Sequence, residues 1–202
     1  QFYYPLNGWE LEYDQDRYSR VRAESTMNCY KYALDYYDYS YDSYDPGHTT
    51  CPFINIYNLG SSAAQEYYQY STFEKMIAFD ASEECGLIFE KNEYSSVGFR
   101  FYKLENNEDI VEDGMYRIAL FFPKYGKDFH FYRQNADGTW SYKDGHGQFS
   151  KICNEDYSGY EIYNPIICDR GGYNLEVDDS YRFYAVSPIA KSLFEKYNLQ
   201  ED

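Results

Sequence analysis

The sequence predicts an α+β fold, with helices first and an antiparallel sheet after them. Two observations carry this. Up to about residue 95 the apolar residues recur at helical spacing behind capping signals, and from residue 96 onward they alternate with a period of two. A chain of 202 residues fits one domain, long enough to bury about 70% of its unfolded surface. The expected layout is an N-terminal arm (1–24), a helical part (25–95), a sheet of about five strands (96–186) and a C-terminal helix (187–202).

The arm, Gln1–Glu24, is polar and aromatic without a period and is expected to lie across the fold, with a short helical turn near Asp16–Arg22. The first helix is expected behind Ser25 or Thr26, whose oxygens can accept first-turn amides. Capping at Thr26 puts Cys29 at the third helical position, with Ala33 and Tyr37 on its side and Tyr30, Leu34 and Tyr41 beside them. That helix is expected to end near Asp38. The acidic run Asp38–Asp45 lacks calcium-loop spacing, reads as a solvated loop and ends in the turn pair Pro46-Gly47. Thr49–Leu59 reads as irregular. Ser71-Thr72-Phe73-Glu74 has the form of a capping box. Phe73, Met76, Ile77 and Ala81 follow at helical spacing toward Gly86, which predicts a helix over 72–84.

Strands are expected at Ser96–Leu104, Met115–Phe122 and Phe129–Arg133. The hairpin turn Ala136-Asp137-Gly138 leads into a further strand at Thr139–Lys143, and Tyr160–Tyr163 and Tyr181–Val186 complete the sheet. Ser187-Pro188, a cap followed by a first-position proline, opens the last helix.

Composition narrows the function. The 28 tyrosines are an unusual excess, and tyrosine, with an apolar body and a polar tip, suits half-buried strands and contact surfaces. A net charge of −16 argues against nucleic acid, anionic lipid and polyanionic cell walls as partners. No apolar run approaches the roughly 20 residues that span a membrane. The start at Gln1 is expected to mark a mature, trimmed product, and no Asn-x-Ser/Thr sequon is present. Five cysteines suggest two bridges and one thiol left over in an oxidising compartment, or five free thiols in a cytosolic one. Pairing Cys51 with Cys85 and Cys153 with Cys168 leaves Cys29 as the odd one. Zinc spacing and a phosphate loop are both missing, so neither metal nor cofactor is expected.

A thiol at a helix start is drawn toward thiolate by the helix dipole, and a neighbouring imidazole makes it a nucleophile. Of the three histidines, His48 is in the acidic loop, His146 is in a glycine-flanked turn, and His130 is mid-strand. In that strand Phe129 and Phe131 share one face, while Asp128, His130 and Tyr132 share the other. Asn28-Cys29-Tyr30, then the His130 strand, then Asn164 at the end of Glu161-Ile162-Tyr163-Asn164, resembles the order of the papain-like cysteine peptidase and amidase superfamily, CHAP-type enzymes included. The resemblance implies a papain-like fold for the α+β chain and a secreted thiol hydrolase acting on a protein, peptide or peptidoglycan-type amide. Cys29 is the implied nucleophile, His130 the base and later acid, and Asn164 the residue that orients the imidazole, with Asp169 competing for that role. Asn28 with the Cys29 amide is the implied oxyanion hole, although the earlier glutamine usual in the superfamily is not evident. Trp140, Tyr132 and Tyr142 are expected to line the substrate groove. The rival expectation is a secreted, tyrosine-rich binding or structural protein without catalysis, or a dead member of the same fold.

Overall fold

A computed structural model describes residues 4–13, 28–35, 45–47, 67–81, 87–89, 93–95, 99–123, 128–143, 149–152, 159–168 and 181–188. Helices α1 (Cys29–Ala33) and α2 (Tyr70–Ala81) come first, followed by a hairpin of β1 (Leu87–Phe89) and β2 (Glu93–Ser95). A six-stranded sheet then contains β3 (Phe101–Lys103), β4 (Tyr116–Phe121), β5 (His130–Gln134), β6 (Trp140–Lys143), β7 (Phe149–Ser150) and β8 (Arg182–Val186). Its spatial order is β3-β8-β4-β5-β6-β7, and every neighbouring pair is antiparallel. β4 to β7 form a meander. β8 returns late in the chain to fill the gap between β3 and β4. The fold is α+β.

Several boundaries differ from the sequence expectation. The hairpin β1–β2 falls in a stretch expected to be helical, and β7 was not foreseen. Tyr160–Tyr163 makes only two isolated bridges, Trp140 with Ile162 and Ile152 with Glu161. α2 starts at Tyr70, so Ser71 lies inside it and the capping box does not form. Glu74 instead accepts the Tyr184 hydroxyl at 2.8 Å, tying α2 to the sheet. The expected C-terminal helix, from residue 189 onward, lies outside the described residues, as do His48, His146, Cys51, Cys85, Cys153 and Asp169.

The sheet is covered on both sides, which explains why β4 is buried at every position. On the helix side Tyr116, Ile118 and Leu120 meet Phe131, Tyr184 and Val186 beneath Tyr30, Leu34, Phe73 and Ile77. α1 lies over β5 and β6, and α2 lies against β3. On the far side Ala119 and Phe121 join Tyr132, Trp140, Tyr142, Phe183 and Ala185, and the arm closes over them through Tyr4. This period-two partition of each strand between two cores is the pleat of the chain expressed as packing.

The arm is held by side chains and backbone together. Asn7 Nδ2 donates to the carbonyls of Val111, Glu112 and Met115, and Glu10 accepts the amides of Asn7 and Gly8. Gly8 has φ +89°, a left-handed conformation that glycine adopts without the Cβ penalty. The Leu11 carbonyl then accepts the Ala136 amide at the hairpin between β5 and β6.

Candidate functional site

Construction of the Cys29 region begins at Asn28. Its extended backbone and its side-chain acceptance of the Lys31 amide at 2.9 Å make it the N-cap of α1. Cys29 is therefore the first helical residue, not the third. The helix is also shorter than expected, because the sheet satisfies its last carbonyls. The Tyr116 hydroxyl donates to the Ala33 carbonyl at 2.7 Å, Arg133 donates to the Tyr32 carbonyl at 3.3 Å, and Asp35 turns out of the helix at φ +53°. Asp45, expected in a solvated loop, is buried and accepts the Asn28 amide nitrogen at 2.9 Å. Both ends of the Asn28 side chain are thus engaged in structure, as a cap and as a clamp.

Cys29 is only 5% exposed and belongs to the helix-side core, its Sγ 3.9 Å from the Phe129 carbonyl. His130 follows Phe129 by one residue, so its ring projects from the opposite face of the sheet. There it lies 5.5 Å from the Phe121 ring, 5.1 Å from Tyr132 and 5.4 Å from Tyr142, centroid to centroid, all in the far-side core. The sheet therefore separates the pair.

The other described candidates also make structural contacts. Asn164 Oδ1 accepts the Tyr4 hydroxyl at 3.1 Å and the Ile166 amide at 3.0 Å, capping a 3-10 turn over Pro165–Ile167. The Asn-Pro pair is itself the signal for this cap. Trp140, Tyr132 and Tyr142 were expected along a groove. They are buried, with Trp140 packed edge-on against Tyr4 and Phe183.

Sequence reasoning missed the polar groups that organise both cores. Arg133 on the helix side lies 3.6 Å from Asp35, donates to the Tyr32 hydroxyl at 3.2 Å and covers the Tyr32 ring at 4.3 Å. From Tyr32 a hydrogen-bonded path continues through Ser141, Asn135 and Thr139 to Asp137. Burial pushes the Tyr32 phenol up, keeping it neutral. On the far side Arg117 donates to the Pro5 carbonyl and to Gln134, each at 3.0 Å, and to the Asp109 carbonyl. The available signal was an arginine inside an otherwise apolar strand, since such a charge must find partners.

At the surface end of the path Lys151 bridges Glu161 at 2.6 Å and Asp137 at 3.3 Å. The Lys151 hydrogen bond holds Glu161 below the usual carboxylate range, and the same bond raises Lys151. Glu161 also accepts the Tyr163 hydroxyl at 3.1 Å, which pushes that phenol up. Among the described residues no group of three or more His, Cys, Asp or Glu could hold a metal ion, and no helix is long and apolar enough to cross a membrane.

Comparison with known proteins gives a partial match. Over 66 residues, 33% of this chain, it is 43% identical to Insoluble matrix shell protein 1 of Ruditapes philippinarum. The match spans 40% of that protein's length. No family model matches the chain. No solved structure matches it either.

Proposed function

We propose that this chain is a non-catalytic, secreted structural or binding protein of an extracellular matrix. The observation that carries the reading is the 43% identity over 66 residues to Insoluble matrix shell protein 1. The geometry supports it. Cys29 lies in the helix-side core while the His130 ring lies against rings of the far-side core, and the expected groove aromatics fill the interior. Tyrosine fits the role, because each ring offers a large, rigid, amphipathic contact at low entropy cost. A charge of −16 keeps such a protein away from polyanions and directs it toward neutral or basic partners.

The thiol-hydrolase reading keeps one observation of its own. α1, which opens at Cys29, packs on β5, which opens at His130, and these are the two elements a papain-like amidase joins. To act on a protein, peptide or peptidoglycan-type amide, it needs the imidazole on the helix side. That requires a one-residue slip of β5, which turns Phe129 and Phe131 out of their core.

Two assays on the full chain separate the readings. The first is retention in the extraction-resistant residue of extracellular matrix from the expressing tissue, and the second is turnover of amide substrates. Retention that is the same for wild type, Cys29→Ala and His130→Ala, without turnover, is expected. Turnover lost in both variants, or a wild-type chain found wholly in the soluble extract, overturns the matrix reading.

A further inference from the structure

Most described tyrosines are interior, including Tyr4, Tyr30, Tyr32, Tyr116, Tyr132 and Tyr184. Tyr13, Tyr68, Tyr70 and Tyr102 are half-buried, and two are exposed, Tyr160 at 72% and Tyr163 at 43%. They flank Ile162, which is buried in the far-side core and pinned on both sides. The Ile162 carbonyl accepts the Trp140 amide at 2.6 Å, and its amide donates to the Lys151 carbonyl at 2.9 Å. An anchored residue between them holds the two phenols outside the fold on a firm support. Ile166 and Ile167 are exposed just beyond, so the segment presents a run of apolar surface. Tyr163 further differs in donating its hydroxyl to the Glu161 carboxylate, itself held by Lys151.

These features match the requirements of one reaction. Phenol coupling needs ring carbons that a second ring can reach, which excludes the buried tyrosines. It also needs the phenol proton to leave with the electron, and a hydrogen-bonded carboxylate is a ready acceptor for it. We infer that Tyr160 and Tyr163 form a covalent cross-linking site, joining copies of this chain through oxidative phenol coupling. The inference rests on the matrix reading above and deepens it.

The oxidant is hydrogen peroxide, used through a haem peroxidase. Each of two phenols loses one electron to the peroxidase and one proton, which at Tyr163 passes first to Glu161. The two radicals join through ring carbons ortho to oxygen, and each ring regains aromaticity by moving its ortho proton to the oxygen. The peroxide takes up the two electrons and two protons and leaves as two waters. Copies carrying −16 repel one another, so added salt, which screens charge beyond about 8–10 Å at physiological strength, speeds the coupling.

The test treats the full-length chain with peroxidase and hydrogen peroxide at low conversion and maps coupled peptides by mass spectrometry. Dimers linked at Tyr160 or Tyr163, gained faster with salt and lost in Tyr160→Phe/Tyr163→Phe, are expected. Both sites are exposed, so the double variant keeps its fold, which circular dichroism verifies. Glu161→Gln is expected to shift linkage from Tyr163 toward Tyr160, a change that exposure alone does not produce. Linkages mapping to other tyrosines with these two unmodified, or an undiminished yield in the double variant, overturn the site. An unshifted ratio in Glu161→Gln overturns the role of the carboxylate. Matrix retention is scored separately, so loss of retention with correct linkages sinks the matrix reading, and retention with misplaced linkages sinks only the site.

Discussion

Replacing Arg133 by methionine tests whether a buried cation docks α1 on the sheet. Arg133 is fully buried, 3.6 Å from a nearly buried Asp35, and spans the Tyr32 carbonyl and hydroxyl. At that separation and an effective dielectric of about 20, the charges attract by about 5 kcal/mol, most of it offset by their desolvation. Methionine keeps much of the volume but removes the guanidinium that faces the Asp35 carboxylate in the core. Breaking a buried pair from one side costs roughly 3–5 kcal/mol. For a domain near 200 residues each ~1 kcal/mol moves Tm by about 2–4 °C, so a drop of roughly 6–20 °C is expected. Removing both charges with Arg133→Met and Asp35→Leu should recover most of the loss, because neither residue then needs a partner. Urea unfolding with an unchanged slope, beside thermal melts, measures both variants. A single variant losing under about 1 kcal/mol, or a double variant no better than the single, refutes the reasoning.

Three further outcomes are expected. Asn28→Ala should cost about 1 kcal/mol by loss of the α1 cap, and Asn28→Ser should restore most of it in urea unfolding; equal losses would mean the cap is idle. Gly47→Ala should cost more than Gly114→Ala by about 1–3 kcal/mol. Both glycines have positive φ, +79° and +82°, but a Cβ at 47 meets the Met76 side chain, whereas one at 114 meets nothing within 4 Å. Equal costs in the two variants would show that the Met76 contact yields freely. Alkaline pH should unfold the protein as its buried phenols ionise. Burial pushes Tyr4 up to about 12, and Tyr32, Tyr67 and Tyr184 move the same way. The unfolded phenol titrates near about 10, so the unfolded state loses its protons first. Stability is then complete below pH 10 and drains away as pH rises toward 12. Phenolate absorbance should rise cooperatively with loss of near-ultraviolet circular dichroism, and a gradual rise with the fold intact would refute it.

Much of the scaffold was legible because its signals are local. Period-two alternation located β4, β5, β6 and β8 to within a residue or two of their ends. The Asp137-Gly138 turn lies where the sequence put it, with Gly138 at φ +83°. Short elements were not legible. β1, β2 and β7 have three, three and two residues, too few for a period to register. The start of α1 was ambiguous because Ser25, Thr26 and Asn28 can all cap, and Asp45, distant in sequence, pairs with Asn28.

The division between what the sequence determined and what tertiary structure decided is clearest at Cys29 and His130. Strand alternation alone dictated that Phe129 and Phe131 share one face and His130 takes the other. Alternation says nothing about which face meets the helix. That choice depends on which rings pack best together. Phe129 and Phe131 fill the core that holds Cys29, and His130 meets Phe121, Tyr132 and Tyr142 edge-on or tilted across the sheet. A period of two sorts side chains into two sets, and only burial against specific neighbours assigns each set a side.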